Sequence, residues 1–532
     1  MRKRKMANFR YEFEPRRDFL FIDIKSNYAS IECVLRGLHP LKTALCVMSR
    51  ADNSNGLILA ASPTFKKVFG MSNVGHSKEL PFYPESRKFH YKNWYKRPES
   101  YDLFGKKIEP DPNYVAYIEY WAKRTHIVPP QMNLYIQKNI EINQIYANFT
   151  SPDEIHAYSI DEGFLDITES MDFFYPDIKD KKIQIDRIAK DIQLAVHKQT
   201  GLYCTVGMSN CNPVLAKLAM DNYAKKAPNM RALINYEDVE EMIWTIEPMT
   251  DFWGIGNKTA QKLNKLGIHS IRDLANANPD LIKREMGVIG LQNYFHANGI
   301  DETDIHEKYV RKSTTFSNSQ VLPRDYVYQA ESEIVIDEMA EQLAVRLRKA
   351  NKVASEFSLG VGFSENDPRP SIRLTRKINP TNKTALIQKE MREMFRSKYN
   401  GGALRHIGVS AGKMVDAPFE VLSLFDEIDD KKKSRQEKEE KIQEAKDNIR
   451  KKYGYTMIQK GTVLANGSRA IARSKLVGGH SAGGLEGLNE WQSIEPIATT
   501  QPSGNTETEE CRSGTPLPPQ NLPQLTGITE RT

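Results

Sequence analysis

The chain is 532 residues long, and its 75 Lys and Arg outnumber 68 Asp and Glu for a formal charge of +7. That length exceeds one ordinary domain and predicts three or four compact units, while so mild a basic excess permits a polyanionic partner without demanding one. Five cysteines, with no CxxC pair and no Cys/His cluster, exclude a disulfide framework and a structural zinc; no apolar run approaches the length of a membrane span, so a cytoplasmic protein with no membrane partner is expected.

The basic opening, MRKRKMANFRYEFEPRRD, has no apolar segment behind it and reads as an extension over residues 1–17. FLFIDI, from Phe19, is a short run of strand formers that ends at Asp23, and KSNYASIECVLRG has helical spacing closed by Gly37. TALCVM and GLILAAS read as strands, and PTFKKVFG as a short helix opened by Pro63. Residues 82–130, rich in Pro, Tyr and Lys with weak periodicity, are expected in loops and short helices. Tyr135, Ile142, Tyr146 and Phe149 recur at helical intervals and predict one amphipathic helix over 131–149. AYSIDEGFLDIT reads as a buried strand, Ile183 to Lys198 as a helix, YCTVGMS as a strand and NPVLAKLAMDNYAKK as a helix. This alternation suits a mixed α+β sheet that brings distant strand ends together.

From about 245 to 300 the composition turns helical and Gly-punctuated, and a mixed segment follows to about 413. DDKKKSRQEKEEKIQEAKDNIRKK reads as a solvated helix. The polar, Pro/Thr-rich end has no means of building a core and is expected to be disordered.

Asp161 and Glu162 stand side by side in a stretch that is otherwise apolar, where unpaired carboxylates are costly and repel each other. A divalent cation would make them tolerable, and Asp23 supplies a third acid in a similar setting. Three carboxylates can hold two Mg²⁺ ions and orient an in-line attack on a phosphoryl group. On the residues alone a salt-bridged strand edge fits equally well. Neighbours on a regular strand face opposite ways, so either the strand is distorted or Glu162 reaches round its end.

SIDEGFLDIT resembles the SIDE motif of the Y-family (translesion) DNA polymerases, and FIDIKSNYASIE resembles their N-terminal metal-binding motif. Further motifs follow in the family's order from about residue 18 to 415, most like the UmuC-like proteins of the Gram-positive UV-damage repair branch called UvrX-like. The resemblance implies an α+β multidomain right-hand polymerase, with a ferredoxin-like palm (18–40 and 130–244), small fingers (41–129) and a helical thumb (245–305). An α/β little finger (310–413), a linker (414–430), a charged helix and tail (431–493) and a disordered end (494–532) complete it. It implies error-prone, template-directed DNA synthesis past damaged bases, with primer-template DNA and deoxynucleoside triphosphates as substrates and two Mg²⁺ as cofactors.

Carried over residue by residue, Asp23, Asp161 and Glu162 are the catalytic metal ligands, assisted by the backbone carbonyl of Ile24. Tyr28 falls at the steric gate, whose ring clashes with a ribonucleotide 2′-hydroxyl. Asn27 precedes it where an aromatic is usual. Lys67 and Lys225 resemble the triphosphate-binding cations; an extra residue makes Lys226 a rival for the second, and Thr64 replaces a usual Tyr.

FWGIGNKTAQKLNKLGIHSIRDLA has the form of a helix-hairpin-helix. Gly254 and Gly256 would bring backbone N–H groups to a phosphate at a helix start, with Lys258 beside them. MGVIGLQNYFHANGID resembles the close of the thumb. Residues 311–413 carry 18 Lys and Arg against 11 Asp and Glu, and EFSLGVGF and SIRLTRKI alternate like strands with a basic exposed face. VLSLFDE resembles a sliding-clamp peptide with Leu422, Leu424 and Phe425 at its apolar positions, although Val421 replaces the usual leading Gln. Accessory repair or recombinase proteins are further possible partners. Two rivals stand beside this reading. One is a catalytically idle scaffold that binds DNA and the clamp. The other is a nucleotide cyclase on a similar palm, which would need neither the hairpin nor the basic domain.

Overall fold

The computed structural model describes residues 9–49, 56–71, 75–102, 104–307, 315–417, 430–477 and 480–481. The FLFIDI run forms β1 (Phe19–Ile24), buried at every position except Asp23, as a continuous apolar strand should be when both faces are covered. A short turn leads to α1 (Asn27–Leu35), with Ser26 in the left-handed conformation at φ 50°.

The chain then builds a four-stranded sheet from β2 (Leu45–Ser49), β3 (Leu57–Ala61), β4 (Gly75–His76) and β5 (His126–Val128), in the order β4-β3-β2-β5. Helix α2 (Pro63–Phe69) follows β3 and is capped by the Ser62 hydroxyl, which accepts from Phe65 N. Helices α3 (Tyr91–Trp94) and α4 (Pro112–Arg124) precede β5. The expectation of loops and short helices over 82–130 is corrected here. Helix α4 runs for 13 residues with Asp111 as its cap and Pro112 in its first turn. Tyr114, Tyr117, Ile118, Trp121 and Ala122 recur at helical intervals and pack on one core, a periodicity that the surrounding Pro, Tyr and Lys obscure.

Helices α5 (Met132–Tyr146), α6 (Met171–Phe174), α7 (Lys181–Thr200) and α8 (Pro213–Ala219) alternate with β6 (Ile155–Ala157), β7 (Glu162–Asp166), β8 (Cys204–Ser209) and β9 (Arg231–Leu233). The sheet order is β6-β7-β1-β8-β9, with β1 central and antiparallel to both neighbours. Leu20, Ile22 and Ile24 of β1 pack under α5 and α7 through Tyr135, Ile142, Ile185 and Ile192. Phe19 and Phe21, on the opposite face, meet Ala216 of α8. That approach depends on Gly207 of β8, where an added Cβ would lie 2.0 Å from the Ala216 carbonyl oxygen and 2.4 Å from Met220 N. Beyond α8 the helix loosens into a π-turn over Met220–Ala224. Such a turn takes in one residue more than an α-turn.

Helices α9 (Asn257–Lys265), α10 (Ile271–Ala275) and α11 (Pro279–Ala297) share a core with Trp244, Phe252 and Tyr294. Gly287 interrupts α11 at φ 69°. The next unit runs β10 (Phe316–Tyr326), α12 (Gln329–Lys349), β11 (Lys352–Phe363), β12 (Ile372–Thr381), α13 (Thr384–Lys398) and β13 (Leu404–Asp416), with sheet order β10-β13-β11-β12. Both helices cover one face through Met339, Leu343, Met391 and Phe395. On β12 and β13 Arg373, Thr375, Lys377 and His406 are exposed, alternating with residues of the core.

The charged run forms α14 (Asp430–Tyr453), most of whose described side chains are exposed as in a solvated helix, but one edge is anchored to the preceding unit. Arg450 is 9% exposed and pairs with Glu341 of α12 at 2.9 Å, and Asp447 pairs with Arg348 at 2.6 Å. The following segment, with α15 (Ala470–Ser474), stays on the same helices: Ser468 donates to Glu338 and Gly467 accepts from the Tyr326 hydroxyl. The charges are interlocked across elements, which a count along one segment cannot reveal. Among the described residues no helix is long and apolar enough to cross a membrane.

Candidate active site

Asp23 is the fifth residue of β1, and the antiparallel register sets it directly opposite Glu162, the first residue of β7. Asp161 lies just before β7, in the tight loop that joins it to β6; Tyr158 N and Ser159 N both donate to the Glu162 carbonyl at 3.0 Å. The strand alternation therefore does not apply to Asp161, and the two adjacent acids need not face opposite ways. The Asp161 carbonyl accepts from Ile24 N at 3.1 Å, and its side chain accepts from the Ser159 hydroxyl at 2.9 Å. Three acids from two distant segments thus meet at the end of the central strand pair.

Their electrostatics set burial and mutual repulsion against partial compensation by nearby lysines. Burial, then the charges of Asp161 and Glu162, push Asp23 up to about 7, although Lys225 and Lys217 oppose the shift. Burial also raises Asp161, against the Ser159 hydroxyl bond. Carboxylates gathered at one strand end at this cost are hard oxygen donors of the kind a divalent cation stabilises, so their chemistry fits such ions.

A cluster of lysines surrounds the acids, and most of it was not legible beforehand. Lys217 of α8 is 4% exposed and lies 3.4 Å from Glu162 Oε1 and 3.1 Å from Asp221 Oδ2. Its ammonium sits 4.2 Å from the centroid of Phe21. A lone Lys in the apolar run VLAKLAM was the available signal. Lys66 donates to the Ser26 hydroxyl at 3.1 Å; burial, with Lys25 nearby, lowers it to about 8. Lys67, one residue on, is exposed. Lys25 is likewise lowered, chiefly by burial, and donates to the Lys225 carbonyl at 3.2 Å. For Lys225, burial is outweighed by Asp23 and Asp221, the latter paired at 3.0 Å, and the net shift is upward. Lys226 is exposed.

Tyr28 is half-buried on α1 and stacks on Tyr135 of α5, with centroids 4.4 Å apart. The preceding Asn27 is 5% exposed, and its side-chain oxygen is without a hydrogen-bond partner. Among the described residues, the group whose ligand atoms all lie within 4.8 Å of one another is Glu154, Asp166 and His306, at the other end of β7. Arg17 already donates to Asp166 at 2.6 Å, and His306 bridges Glu154 and Asp304.

Farther along, Gly254 is left-handed at φ 92° and Gly256 is the residue preceding α9; both are exposed, as is Lys258. Leu422, Leu424 and Phe425 lie outside the described residues.

Comparison with known proteins matches residues 111–221 to the impB/mucB/samB family, 313–424 to the C-terminal domain of that family and 236–268 to the HHH motif of the IMS family. The chain is 33% identical to the putative UV-damage repair protein UvrX of Bacillus subtilis (strain 168), over 89% of this chain and 99% of that one. It is 29% identical to DNA polymerase IV 2 of the same strain, over 86% and 97% respectively. Among solved structures a Y-family DNA polymerase chimera matches with a TM-score of 0.52 and 19% identity, covering 75% of this chain and 99% of that one.

Proposed function

We infer how this site works from one premise: the chain belongs to the Y-family, UmuC-like DNA polymerases, in the UvrX branch. It is a template-directed DNA polymerase of the translesion type, built as an α+β right hand whose thumb carries a helix-hairpin-helix. The five-stranded sheet is the palm, the four-stranded sheet of β2 to β5 the fingers, the α9–α11 unit the thumb and the β10–β13 unit the little finger.

The pairing of Asp23 with Glu162, with Asp161 beside them, carries the catalytic reading. Asp23, Asp161, Glu162 and the Ile24 carbonyl would hold two Mg²⁺, and ions held there would supply charge to acidify the primer hydroxyl and to stabilise the leaving pyrophosphate. Lys217 neutralises the outer side of Glu162 and keeps it oriented in the absence of other charge. Lys225, Lys25 and Lys66 face the acids and bind the triphosphate; the geometry favours Lys225 over Lys226, and Lys66 over Lys67, for this role. Tyr28 closes the pocket at the sugar and excludes a 2′-hydroxyl.

Gly254, Gly256 and Lys258 contact the duplex backbone, a sequence-independent grip. The exposed sheet face with Arg373 and Lys377 adds a second grip on the DNA. The segment with Leu422, Leu424 and Phe425 binds the sliding clamp, a reading supported by sequence alone. The intact acidic trio argues against an idle scaffold. Primer extension by the purified chain with Mg²⁺, on undamaged and lesion-bearing templates, tests the function. Synthesis past a lesion is expected, and no extension on either template would refute it.

A further inference from the structure

Behind the ring that stacks on Tyr28 lies a carboxylate that neither metal nor phosphate chemistry uses. Glu32, one turn along α1, is 0% exposed. A buried carboxylate survives only when its oxygens are met by donors, and here three side chains supply them. The Tyr135 hydroxyl donates to Oε1 at 2.5 Å, Gln131 Nε2 lies 3.1 and 3.3 Å from the two oxygens, and the Arg36 guanidinium pairs with Oε2. Gln131 immediately precedes α5 and Tyr135 lies in its first turn, so the network fastens α5 to α1.

Tyr135 is itself 0% exposed, and its ring lies almost parallel to that of Tyr28, with 14° between the planes. Burial and the neighbouring Glu32 both raise the Tyr135 phenol, which keeps it a donor. The order is therefore fixed: Tyr28 rests face-on against Tyr135, and the far end of Tyr135 is pinned to Glu32. A steric wall rejects a group only if it cannot retreat. A ring free to leave its rotamer by about 30° yields for roughly 0.5–1.5 kcal/mol, too little to exclude a hydroxyl firmly.

We propose that Glu32 and Tyr135 are positioning residues that hold the ring of Tyr28 rigid and thereby set how strongly the polymerase rejects ribonucleotides. The inference rests on reading Tyr28 as the sugar gate. It accounts for a polar network at a place where an apolar core would pack as well: hydrogen bonds fix direction, which apolar contacts do not.

The test is the ratio of kcat/KM for a deoxynucleotide to that for the matching ribonucleotide, with melting temperatures alongside. It compares wild type, Tyr28→Ala, Tyr135→Phe, Glu32→Gln and the Tyr28→Ala/Tyr135→Phe double variant. Tyr28→Ala should collapse the ratio. Tyr135→Phe and Glu32→Gln should each lower it about three- to tenfold, the worth of one lost hydrogen bond. In the Tyr28→Ala background Tyr135→Phe should change nothing further, because the two act through one ring. Should Glu32→Gln not fold, Gln131→Leu removes a donor at the half-buried edge of the network, with the same expected fall. Lower melting temperatures with an unchanged ratio, or equal losses with and without Tyr28, would overturn the positioning role while leaving the gate intact. A ratio unmoved by Tyr28→Ala would overturn the gate, and this inference with it.

Discussion

Replacing Asp23 by Asn should make the metal-free protein more stable at alkaline pH, even as it removes a catalytic ligand. Burial and two neighbouring acids hold Asp23 at about 7, against 3.8 for an ordinary aspartate. The folded state therefore binds this proton more tightly than the unfolded chain does. The sign follows: the group's contribution is most favourable below pH 4, declines as pH rises, and is fully lost above pH 7. About three pKa units at 1.36 kcal/mol each set a ceiling of roughly 4 kcal/mol. Asp23 is only partly buried, and screening by solvent reduces the expected gain to about 1–2 kcal/mol, a few degrees of melting temperature. Thermal melts of wild type and Asp23→Asn in EDTA should diverge at pH 8 and converge near pH 4, and Mg²⁺ should narrow the gap at pH 8 by stabilising wild type. An Asp23→Asn variant less stable than wild type at pH 8 in EDTA would refute the reasoning.

Gly207→Ala should cost about 3 kcal/mol or more, since its Cβ would meet backbone atoms at 2.0 and 2.4 Å, and should slow nucleotide addition by displacing α8 and Lys217; melts and single-turnover rates check both. Lys66→Ala should raise the KM for deoxynucleotides roughly tenfold, the worth of a charge-assisted hydrogen bond, and Lys67→Ala should raise it less. Because Lys66 sits at about 8, wild-type KM should climb above that pH and the Lys66→Ala profile should be flatter, as steady-state kinetics would reveal. Gly254→Leu should weaken duplex binding uniformly across sequences, and Lys258→Ala should reduce the salt slope by about one; titration of fluorescent duplexes at several salt concentrations measures both.

Much of this was legible in the sequence because it is written in local pattern. FLFIDI announced a strand ending at Asp23, PTFKKVFG a Pro-started helix, and the acids at 23, 161 and 162 a shared site. What stayed hidden depends on contacts between distant elements. Lys217 reads as one charge in an apolar helix until α8, seated on Gly207, brings it to Glu162. Lys66 and Lys67 are indistinguishable in sequence; only the direction of α2 turns the first toward Ser26. Asp161 looked like a strand residue because its neighbours are apolar, yet the turn around the Glu162 carbonyl places it in a loop. Helix α4 carries its apolar residues at 114, 117, 118, 121 and 122, a helical spacing masked by the Pro, Tyr and Lys around it. The run after 430 is largely solvated as read, but its anchoring stayed hidden because the partners, Glu341 and Arg348, lie about a hundred residues upstream.

Single-turnover incorporation by Asp161→Ala and Glu162→Ala, measured beside their affinity for primer-template DNA, tests the catalytic assignment most directly. Incorporation should fall by at least about a thousandfold in each, while duplex affinity stays within about twofold of wild type, because the acids and the duplex grip lie on separate units. Incorporation within tenfold of wild type in either variant would contradict the assignment of these acids as the metal-binding catalytic site.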